Sequence, residues 1–267
     1  MKHVVMFSGG VGSWAAAKRV AAEYGTNNMT LLFADTKMED EDLYRFLTEA
    51  ANNVGACLEI IADGRTPWQV FKDEKFIGNS RIDPCSKILK RHLLDRWCNE
   101  HCDHGETVYY VGIDWTEEHR FEGQGKKPGL RRRMAECGKV FKAPMCDKPL
   151  VSKMQMLRNL VDAGIQPPKL YSLGFPHNNC GGFCIKAGHA QFAHLLKVLP
   201  ERYAFHEAQE NDARRLIGTE ATILRDRRGG ESRWMSLKEF RERLEGGSYS
   251  PKELHGFDWG GCGCAIE

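Results

Sequence analysis

The sequence predicts an α/β protein with a doubly wound, Rossmann-like parallel sheet and a smaller helical, cysteine-bearing part at its C-terminal end. Apolar runs of strand length alternate with stretches of helical periodicity, which is typical of parallel βαβ units. The first run ends in Ser-Gly-Gly, and a helical pattern begins at once. Polar residues follow several of the runs, and in such sheets the carboxyl ends of the strands form the ligand crevice.

Five apolar runs supply the predicted strands, at residues 4–7, 29–33, 58–62, 108–111 and, more briefly, 141–145. Beyond residue 150 the periodicity is mainly helical and is interrupted at Pro167-Pro168. We therefore divide the chain into an α/β domain over residues 1–150 and a helical part over residues 151–267, which carries paired cysteines.

The turn after the first strand predicts a phosphate site. The first amides of a helix have no intrahelical acceptor, and the helix dipole favours an anion there. Three glycines let a phosphate approach the backbone and two serines add hydroxyls: Gly9, Gly10, Gly12, Ser8 and Ser13. The alternative is a tight strand-to-helix turn without a ligand.

Polar residues after the other strands are expected to converge on this turn. Asp35 and Thr36 follow the second run, and Gly112 and Asp114 follow the fourth. Asp35 has the chemistry to receive a ribose hydroxyl or to hold magnesium. Helix capping is the alternative role for each aspartate.

Basic residues near the predicted crevice are candidate phosphate ligands. Lys87, Lys90 and Arg91 share one side of a predicted helix near its start, where the dipole does not favour cations. Arg120 precedes a stretch rich in Gly, Lys and Arg that ends at Arg131–Arg133. We expect that stretch to be a mobile loop that orders on substrate binding. A solvated basic surface is the alternative for both groups.

Composition limits the classes of protein that this chain can belong to. Apolar residues make up 42% and charged residues 28% of the chain, and the formal net charge is +2, so no global field demands a polyanionic partner. No apolar run reaches the roughly 18 residues of a membrane span, and the N-terminus leads straight into a strand, which leaves no room for a signal peptide. We expect a cytoplasmic protein.

Ten cysteines are many for a chain in a reducing compartment, where metal ligands, catalytic thiols and buried thiols are commoner than disulfides. Cys180 and Cys184 flank two glycines, and Cys262 and Cys264 lie in a second glycine-rich turn. Two such pairs are typical of a four-thiolate site for zinc or a [4Fe–4S] cluster. The alternative to a metal site is that these cysteines are buried thiols and that the C-terminus has no regular structure.

The Ser8–Ser13 turn resembles the S-G-G-x-x-S pyrophosphate loop (PP-loop) of the N-type ATP pyrophosphatases, a superfamily of adenine nucleotide α-hydrolases with a HUP-type fold. The second half narrows the resemblance to the PAPS reductase-like family. The matching motifs occur in a fixed order: Pro149-Leu150, Gly164-Ile165, Leu170-Tyr171, Gly174-Phe175, then paired cysteines. The similarity covers roughly residues 1–205.

The chain departs from that family at several positions. Val11 and Gly12 stand where Lys-Asp or Val-Asp is frequent, and Cys85 stands alone where cluster-bearing reductases carry a tandem pair. Cys180 and Cys184 are spaced C-x3-C, and the chain ends near Cys262-Gly263-Cys264 rather than in the reductases' nucleophile motif. The chain is more similar to the PAPS reductase-like proteins of phages and mobile elements.

The resemblance implies an ATP pyrophosphatase that binds ATP and Mg²⁺ and activates an acceptor by adenylation, in sulfur transfer or nucleic-acid modification. It implies that Lys87, Asp114 and Arg120 serve the chemistry. It also adds Cys85 to the two cysteine pairs as a candidate ligand of a [4Fe–4S] cluster, with Zn²⁺ as the alternative. Five candidates exceed the four ligands needed, so one thiol is left free or catalytic, and if Cys85 is a ligand the spare is Cys262 or Cys264. The acceptor is either a nucleic acid or a small molecule, no membrane is involved, and the oligomeric state is open.

Two other functions remain open at this point. One is a thiol-dependent PAPS or APS reductase, in which Cys262 or Cys264 attacks the sulfur and sulfite is released without ATP. The other is a nucleotide-sensing or nucleic-acid-binding module without turnover.

Overall fold

The computed structural model describes residues 1–79, 82–227 and 230–260. Its strands, in chain order β1 to β9, are Lys2–Met6, Met29–Asp35, Cys57–Ala62, Thr107–Val111, Gly123–Gln124, Lys127–Pro128, Val140–Lys142, Leu224–Asp226 and Arg233–Met235. Within the described residues, five of these strands form one parallel sheet in the order β3-β2-β1-β4-β7. The predicted α/β class is therefore confirmed.

The helices flank this sheet and continue beyond it. In chain order, α1 to α13 are Val11–Tyr24, Glu41–Val54, Pro67–Asp73, Pro84–Ser86, Leu93–His101, Glu118–Glu122, Leu130–Glu136, Lys153–Asp162, Lys169–Ser172, His189–Val198, Pro200–Ile217, Leu237–Glu245 and Pro251–His255. No helix in the described part of the chain is long and apolar enough to cross a membrane.

Both faces of the sheet are buried, as the continuous apolar strands predict. Neighbouring residues of β1 show this, because Val4 packs into the core on the side of α5 and Val5 into the core on the side of α1 and α2. Both side chains are fully buried. The helices therefore cover both faces, which is the doubly wound arrangement.

The strand order reverses at β1, which pairs with β2 on one side and with β4 on the other. The chain passes from β1 to β2 on one side of β1 and later returns to β4 on the opposite side of β1. The loops after β1 and β4 therefore run in opposite directions and leave a crevice between them. In open α/β sheets this is where ligands bind.

One predicted helix contains a change of winding. Between α4 and α5 the chain forms a π-helix at Lys87–His92. A π-helical turn closes with i→i+5 hydrogen bonds instead of i→i+4 bonds. Side chains within and after it therefore rotate relative to the positions that regular helical spacing predicts.

The stretch expected to be a mobile loop forms defined structure instead. β5 and β6 pair as a short antiparallel hairpin, and α7 carries Arg131–Arg133. A Cβ at Gly123 would lie 2.7 Å from the Gly129 amide, and a Cβ at Gly129 would overlap the Phe121 carbonyl. The glycines are therefore needed for close backbone approach at the base of the hairpin.

The two halves of the chain share their cores. Met156 and Leu160 of α8 pack in the core that holds α1 and α2, whereas Trp68 and Phe71 of α3 pack among residues of α9 to α12. The cores therefore do not divide at residue 150. The part expected to be helical also contains the β8–β9 hairpin.

Candidate nucleotide site and cysteine cavity

A cleft of about 310 Å³ lies at the carboxyl ends of β1 and β4, where the strand order reverses. The turn after β1, the segment after β4 and parts of the second half of the chain line it. Its volume lies at the small end of the range of about 300–1,000 Å³ that is usual for ligand sites. The predicted residues that line it are Ser8, Gly10, Gly12, Ser13, Gly112, Asp114 and Arg120.

The turn needs glycine at Gly9 for its backbone conformation. Gly9 has φ = 76°, and a Cβ there would overlap the Leu43 side chain of α2. Its carbonyl accepts a hydrogen bond of 2.9 Å from the buried Asn178 amide. A residue 169 positions away therefore fixes the turn that the sequence identifies locally.

Gly12 and Gly112 bring α1 directly against the end of β4. A Cβ at Gly12 would lie 2.7 Å from the Gly112 carbonyl oxygen, and one at Gly112 would lie 2.5 Å from the Ser13 amide nitrogen. Both partners are backbone atoms, so they cannot move aside as a side chain can. The two glycines thus hold the first turn of α1 over the cleft.

Polar groups also occupy the first turn of α1. The Ser13 hydroxyl donates to the Gly10 carbonyl at 2.8 Å, and the Val11 amide donates to the Tyr171 hydroxyl at 3.3 Å. Burial raises the pKa of Tyr171 to about 12, so the phenol keeps its proton at neutral pH. An uncharged hydroxyl therefore lies at the amide where a phosphate oxygen is expected.

Three cationic side chains line the cleft: Lys90, Arg120 and Lys153. Arg120 pairs with Glu117 at 2.6 Å, and Lys90 lies 3.9 Å from Glu39. The sequence predicts Arg120 as a site residue and Lys90 as a neighbour of Lys87. It does not predict Lys153, although the position of Lys153 directly after Ser152, the capping residue of α8, was an available signal.

Lys153 has the most perturbed environment of these three. Its ammonium donates to the Pro176 carbonyl and lies 4.6 Å from the centre of the Tyr171 ring. Burial lowers its pKa below the ordinary lysine value, and the carboxylates of Asp114 and Glu117 oppose that shift. An anionic ligand strongly stabilises the charged form of a lysine that lies in a low-dielectric environment.

Asp114 reaches the cleft as predicted. Its Oδ1 caps the short 3₁₀ turn at Trp115–Glu117 and accepts from the Thr116 amide at 2.8 Å and from the Thr116 hydroxyl. The helix-capping alternative therefore holds for Asp114, although the same residue lines the cleft.

Four predicted nucleotide-site residues do not line the cleft: Gly9, which shapes the turn as described above, and Lys87, Asp35 and Thr36. Lys87 is exposed, and the π-helix instead brings Lys90 to it. Asp35 is buried and accepts from Lys37 and from the Tyr44 hydroxyl, at 2.8 and 2.9 Å. Thr36 donates to Glu39 at 2.9 Å and lines a separate small cavity.

That second cavity, which we call the cysteine cavity, contains the three predicted metal ligands that the structure describes. Cys85, Cys180 and Cys184 line it together with Lys90, and its volume is about 20 Å³. Cys180, Gly181 and Gly182 all have positive φ, between 47° and 84°, which turns the chain tightly there. The cavity therefore lies next to the cleft, with Lys90 on both.

The described cysteines do not form a closed metal site. Among residues 1–79, 82–227 and 230–260, no group of three or more His, Cys, Asp or Glu is arranged to hold a metal ion. Burial and the Asp83 charge raise the pKa of the Cys85 thiol to about 12, so it stays protonated at neutral pH without a metal. Cys262 and Cys264 lie outside the described residues.

A larger, more open groove of about 630 Å³ lies between Lys37–Glu39 and the start of α11. Its arginine, Arg202, is engaged by Asp40 at 2.9 Å and by the Gly181 carbonyl at 2.6 Å. The groove has neither a glycine turn nor a helix start at a strand end. We therefore take the smaller cleft as the candidate site.

No protein-family model and no curated protein matches this chain. Among solved structures, the phosphoadenylyl-sulfate (PAPS) reductase from Candida auris, in a phosphate complex, is similar with a TM-score of 0.46 and 14% identity. The similarity covers 66% of this chain and 79% of that one. At these values the likeness assigns no family, activity or ligand to this chain, and the fold described above rests on its own strand order.

Proposed function

We propose that this protein is a PP-loop ATP pyrophosphatase that adenylates an acceptor. The observation that carries the proposal is a glycine turn and helix start at the reversal point of the sheet, with three cationic side chains in the same cleft. An acceptor oxygen attacks the α-phosphorus of ATP, the bond from that phosphorus to the α–β bridging oxygen breaks, and pyrophosphate leaves. The acceptor keeps the AMP group.

In this proposal the phosphates lie over the first turn of α1. The amides of Val11 and Gly12 lack intrahelical acceptors and face the positive end of the helix dipole. Phosphate oxygens would replace the Tyr171 hydroxyl at the Val11 amide, which it now meets at 3.3 Å. Tyr171 then becomes free to donate to the same phosphate.

Lys90, Arg120 and Lys153 would neutralise the charge that develops on the leaving pyrophosphate. Fixed cations in a site that excludes water stabilise such charge without having to reorient during the reaction. Nearly all the catalytic work is then positioning and electrostatics, since the attack itself needs no covalent group from the protein.

Asp114 is the residue that we assign to Mg²⁺. It lines the cleft, and only its Oδ1 is used by Thr116, whereas Glu117 pairs with Arg120. Carboxylates bind Mg²⁺ together with substrate phosphates in enzymes that cleave nucleotides. When bound, the ion would contribute neutralisation of the phosphate charge.

The experiment is to incubate the protein with ATP and Mg²⁺ and to separate the nucleotides by chromatography. AMP and pyrophosphate in equal amounts are expected, slowly with water as the acceptor. ADP and phosphate would contradict the proposal. Sulfite released from APS or PAPS without ATP would support the reductase instead, and nucleotide binding without any product would support a sensing module.

We also propose that Cys85, Cys180, Cys184 and one cysteine of the tail bind a metal. Gly260 pairs with Ala187, three residues after Cys184, so the chain reaches this neighbourhood just before the tail cysteines.

The size of the cysteine cavity bears on which metal is bound. Cys85, Cys180 and Cys184 are not arranged to hold a metal ion as they stand, so either metal would require them to move. A [4Fe–4S] cluster would require the larger movement, because the cavity has a volume of only about 20 Å³. Anaerobic purification with metal analysis distinguishes the two. Brown protein absorbing near 400 nm would establish the cluster, and colourless protein with one zinc per chain would establish zinc. Protein with neither metal would contradict the site.

A further inference from the structure

We propose that the surface formed by the β5–β6 hairpin and the first turn of α7 binds single-stranded nucleic acid. We call residues 123–133 the basic hairpin. The inference that this strand delivers the acceptor group to the cleft rests on the proposed function, whereas the binding itself does not.

Charge is concentrated in the basic hairpin. It contains five Lys or Arg residues and no Asp or Glu, namely Lys126, Lys127, Arg131, Arg132 and Arg133. The whole chain has a net charge of +2, so the remaining residues together carry −3. A local positive field on an otherwise slightly acidic protein attracts a polyanion to one place.

Four of these five side chains are exposed. Lys126 and Lys127 lie on the hairpin, and Arg131 and Arg132 are 61% and 76% exposed. The two arginines pair with Glu122 at 2.6 Å and with Glu136 at 3.2 Å. Exposed pairs of this kind contribute little to stability, so phosphates can replace the carboxylates at small cost.

The basic hairpin is fixed relative to the candidate cleft. α6 ends where β5 begins, and the segment just before it contributes Trp115, Glu117 and Arg120 to the cleft wall. The close backbone contact between Gly123 and Gly129 closes the base of the hairpin. A strand bound on the hairpin therefore passes beside the cleft rather than on a remote face.

Trp115 provides a platform for an unpaired base. It is 42% exposed at the cleft wall, and its indole nitrogen donates to the Val151 carbonyl at 3.3 Å, which fixes the ring. Aromatic stacking with backbone neutralisation by cations is how single strands are bound without sequence preference. An acidic protein segment would use the cations but would gain nothing comparable from the ring.

The test uses the full chain, without ATP, and a short fluorescein-labelled oligo(dT), with anisotropy measured over a range of KCl concentrations. The variant is Lys126→Gln/Lys127→Gln/Arg132→Gln. Each lost phosphate contact lowers the salt slope by about 0.7 for a single strand, so the slope should fall by about 2 and the affinity by about a hundredfold near 0.1 M salt.

The matched control is Arg215→Gln/Lys238→Gln/Lys252→Gln. It removes the same charge from exposed positions of α11, α12 and α13, and Arg215 pairs with Asp212 as Arg132 pairs with Glu136. The control should keep most of the affinity. Equal loss in both variants would show a response to net charge and would overturn the proposal.

A second variant tests whether a base stacks on Trp115. Trp115→Ala should weaken oligo(dT) binding by about tenfold, whereas Trp115→Phe should retain most of it. Oligo-glutamate of equal charge should compete poorly. Equal competition by oligo-glutamate, with no effect of Trp115→Ala, would assign the surface to an acidic protein partner and overturn the proposal.

The two proposals fail separately. A protein that binds oligo(dT) but makes no AMP would contradict the pyrophosphatase alone. A protein that makes AMP but does not bind oligo(dT) would contradict the nucleic-acid surface alone and would point to a small-molecule acceptor.

Discussion

The nucleotide cleft and the cysteine cavity share Lys90 but are held together by different kinds of contact. Backbone atoms fix the cleft, since Gly12 and Gly112 bring α1 against β4 with no side chain between them. The cysteine cavity depends on three side chains that come from α4 and from a tight turn almost 100 residues later. Backbone contact should make the cleft rigid and sensitive to added atoms, whereas the cavity should respond mainly to loss of a ligand.

The largest expected effect tests the backbone contact. Gly112→Ala places a methyl group 2.5 Å from the Ser13 amide nitrogen and must push α1 away from β4. Overpacking of this kind costs about 1–3 kcal/mol of unfolding free energy. Calorimetry should show a lower Tm, and ATP binding should be lost.

Gly105→Ala is the control for that substitution. The nearest atom to its added methyl group is a side-chain oxygen of Asp103 at 3.3 Å. We expect a Tm and an ATP affinity close to those of the wild type. If Gly112→Ala behaves like Gly105→Ala, the backbone contact does not hold the cleft.

A substitution in the cysteine cavity should lower metal binding and leave ATP binding nearly unchanged. Cys184→Ser removes one thiolate and should lower the bound metal to a small fraction, while ATP affinity changes by less than about twofold because the cleft keeps its backbone contacts. Cys137→Ser changes an exposed thiol and should keep the metal. Full metal content in Cys184→Ser would contradict the proposed ligand set.

Lys90 lines both the cleft and the cysteine cavity, so we compare its substitution with that of the exposed Lys87. Hydrogen bonds to charged groups are worth about 1.5–3 kcal/mol, so Lys90→Gln should weaken ATP binding by roughly ten- to a hundredfold. Lys87→Gln, on the exposed side of the same π-helix, should change it by less than about twofold. Equal effects of the two variants would contradict the placement of the π-helix.

Lys153 gives the smallest effect, in the pH dependence of binding. Burial places its pKa below the ordinary value of 10.5, so as pH rises it loses its proton earlier than an exposed lysine and loses its attraction for phosphate. ATP affinity should therefore fall with rising pH below that value. Lys153→Arg keeps its charge and should abolish this fall, and calorimetric titrations of both proteins measure it.

Stability should depend on pH in the opposite direction to ATP binding, because the fold becomes more stable as the pH rises. Because the folded pKa of Lys153 is lowered, holding its charge costs free energy of folding below that pKa. The cost decreases as the pH rises above the folded pKa and is gone above the ordinary value of 10.5. Lys153→Met removes the titrating group, so it should weaken ATP binding and abolish this part of the pH dependence of stability. The same pH dependence of stability in that variant and in the wild type would contradict the burial argument.

Local sequence patterns predicted the sheet and the glycine turn because both are determined by neighbouring residues. The turn can be identified from the sequence because its strand, glycines and helix are consecutive. Four of the five predicted strands match β1 to β4 closely. The fifth ends early, since Pro144 begins a 3₁₀ turn within the predicted run.

The cation set could be predicted only in part: Arg120 and Lys90 were among the candidates, but the choice of Lys90 over Lys87 depends on helix rotation, and Lys153 depends on a distant contact. The π-helix replaces Lys87 with Lys90, and nothing in helical spacing indicates a π-turn. Lys153 and Tyr171 reach the turn from more than 140 residues away. Asp35 follows β2 as expected, but Lys37 and Tyr44 bind its carboxylate, and only tertiary contacts reveal that.

Hydrogen–deuterium exchange with and without ATP is a direct test of the nucleotide site, because it reports which backbone amides the nucleotide covers. We expect slower exchange at Gly10–Ser13 and at Gly112–Asp114 on addition of ATP and Mg²⁺, with little change along the groove between Lys37–Glu39 and α11. Protection along that groove, with unchanged exchange at the start of α1, would contradict the assignment of the glycine turn as the phosphate site.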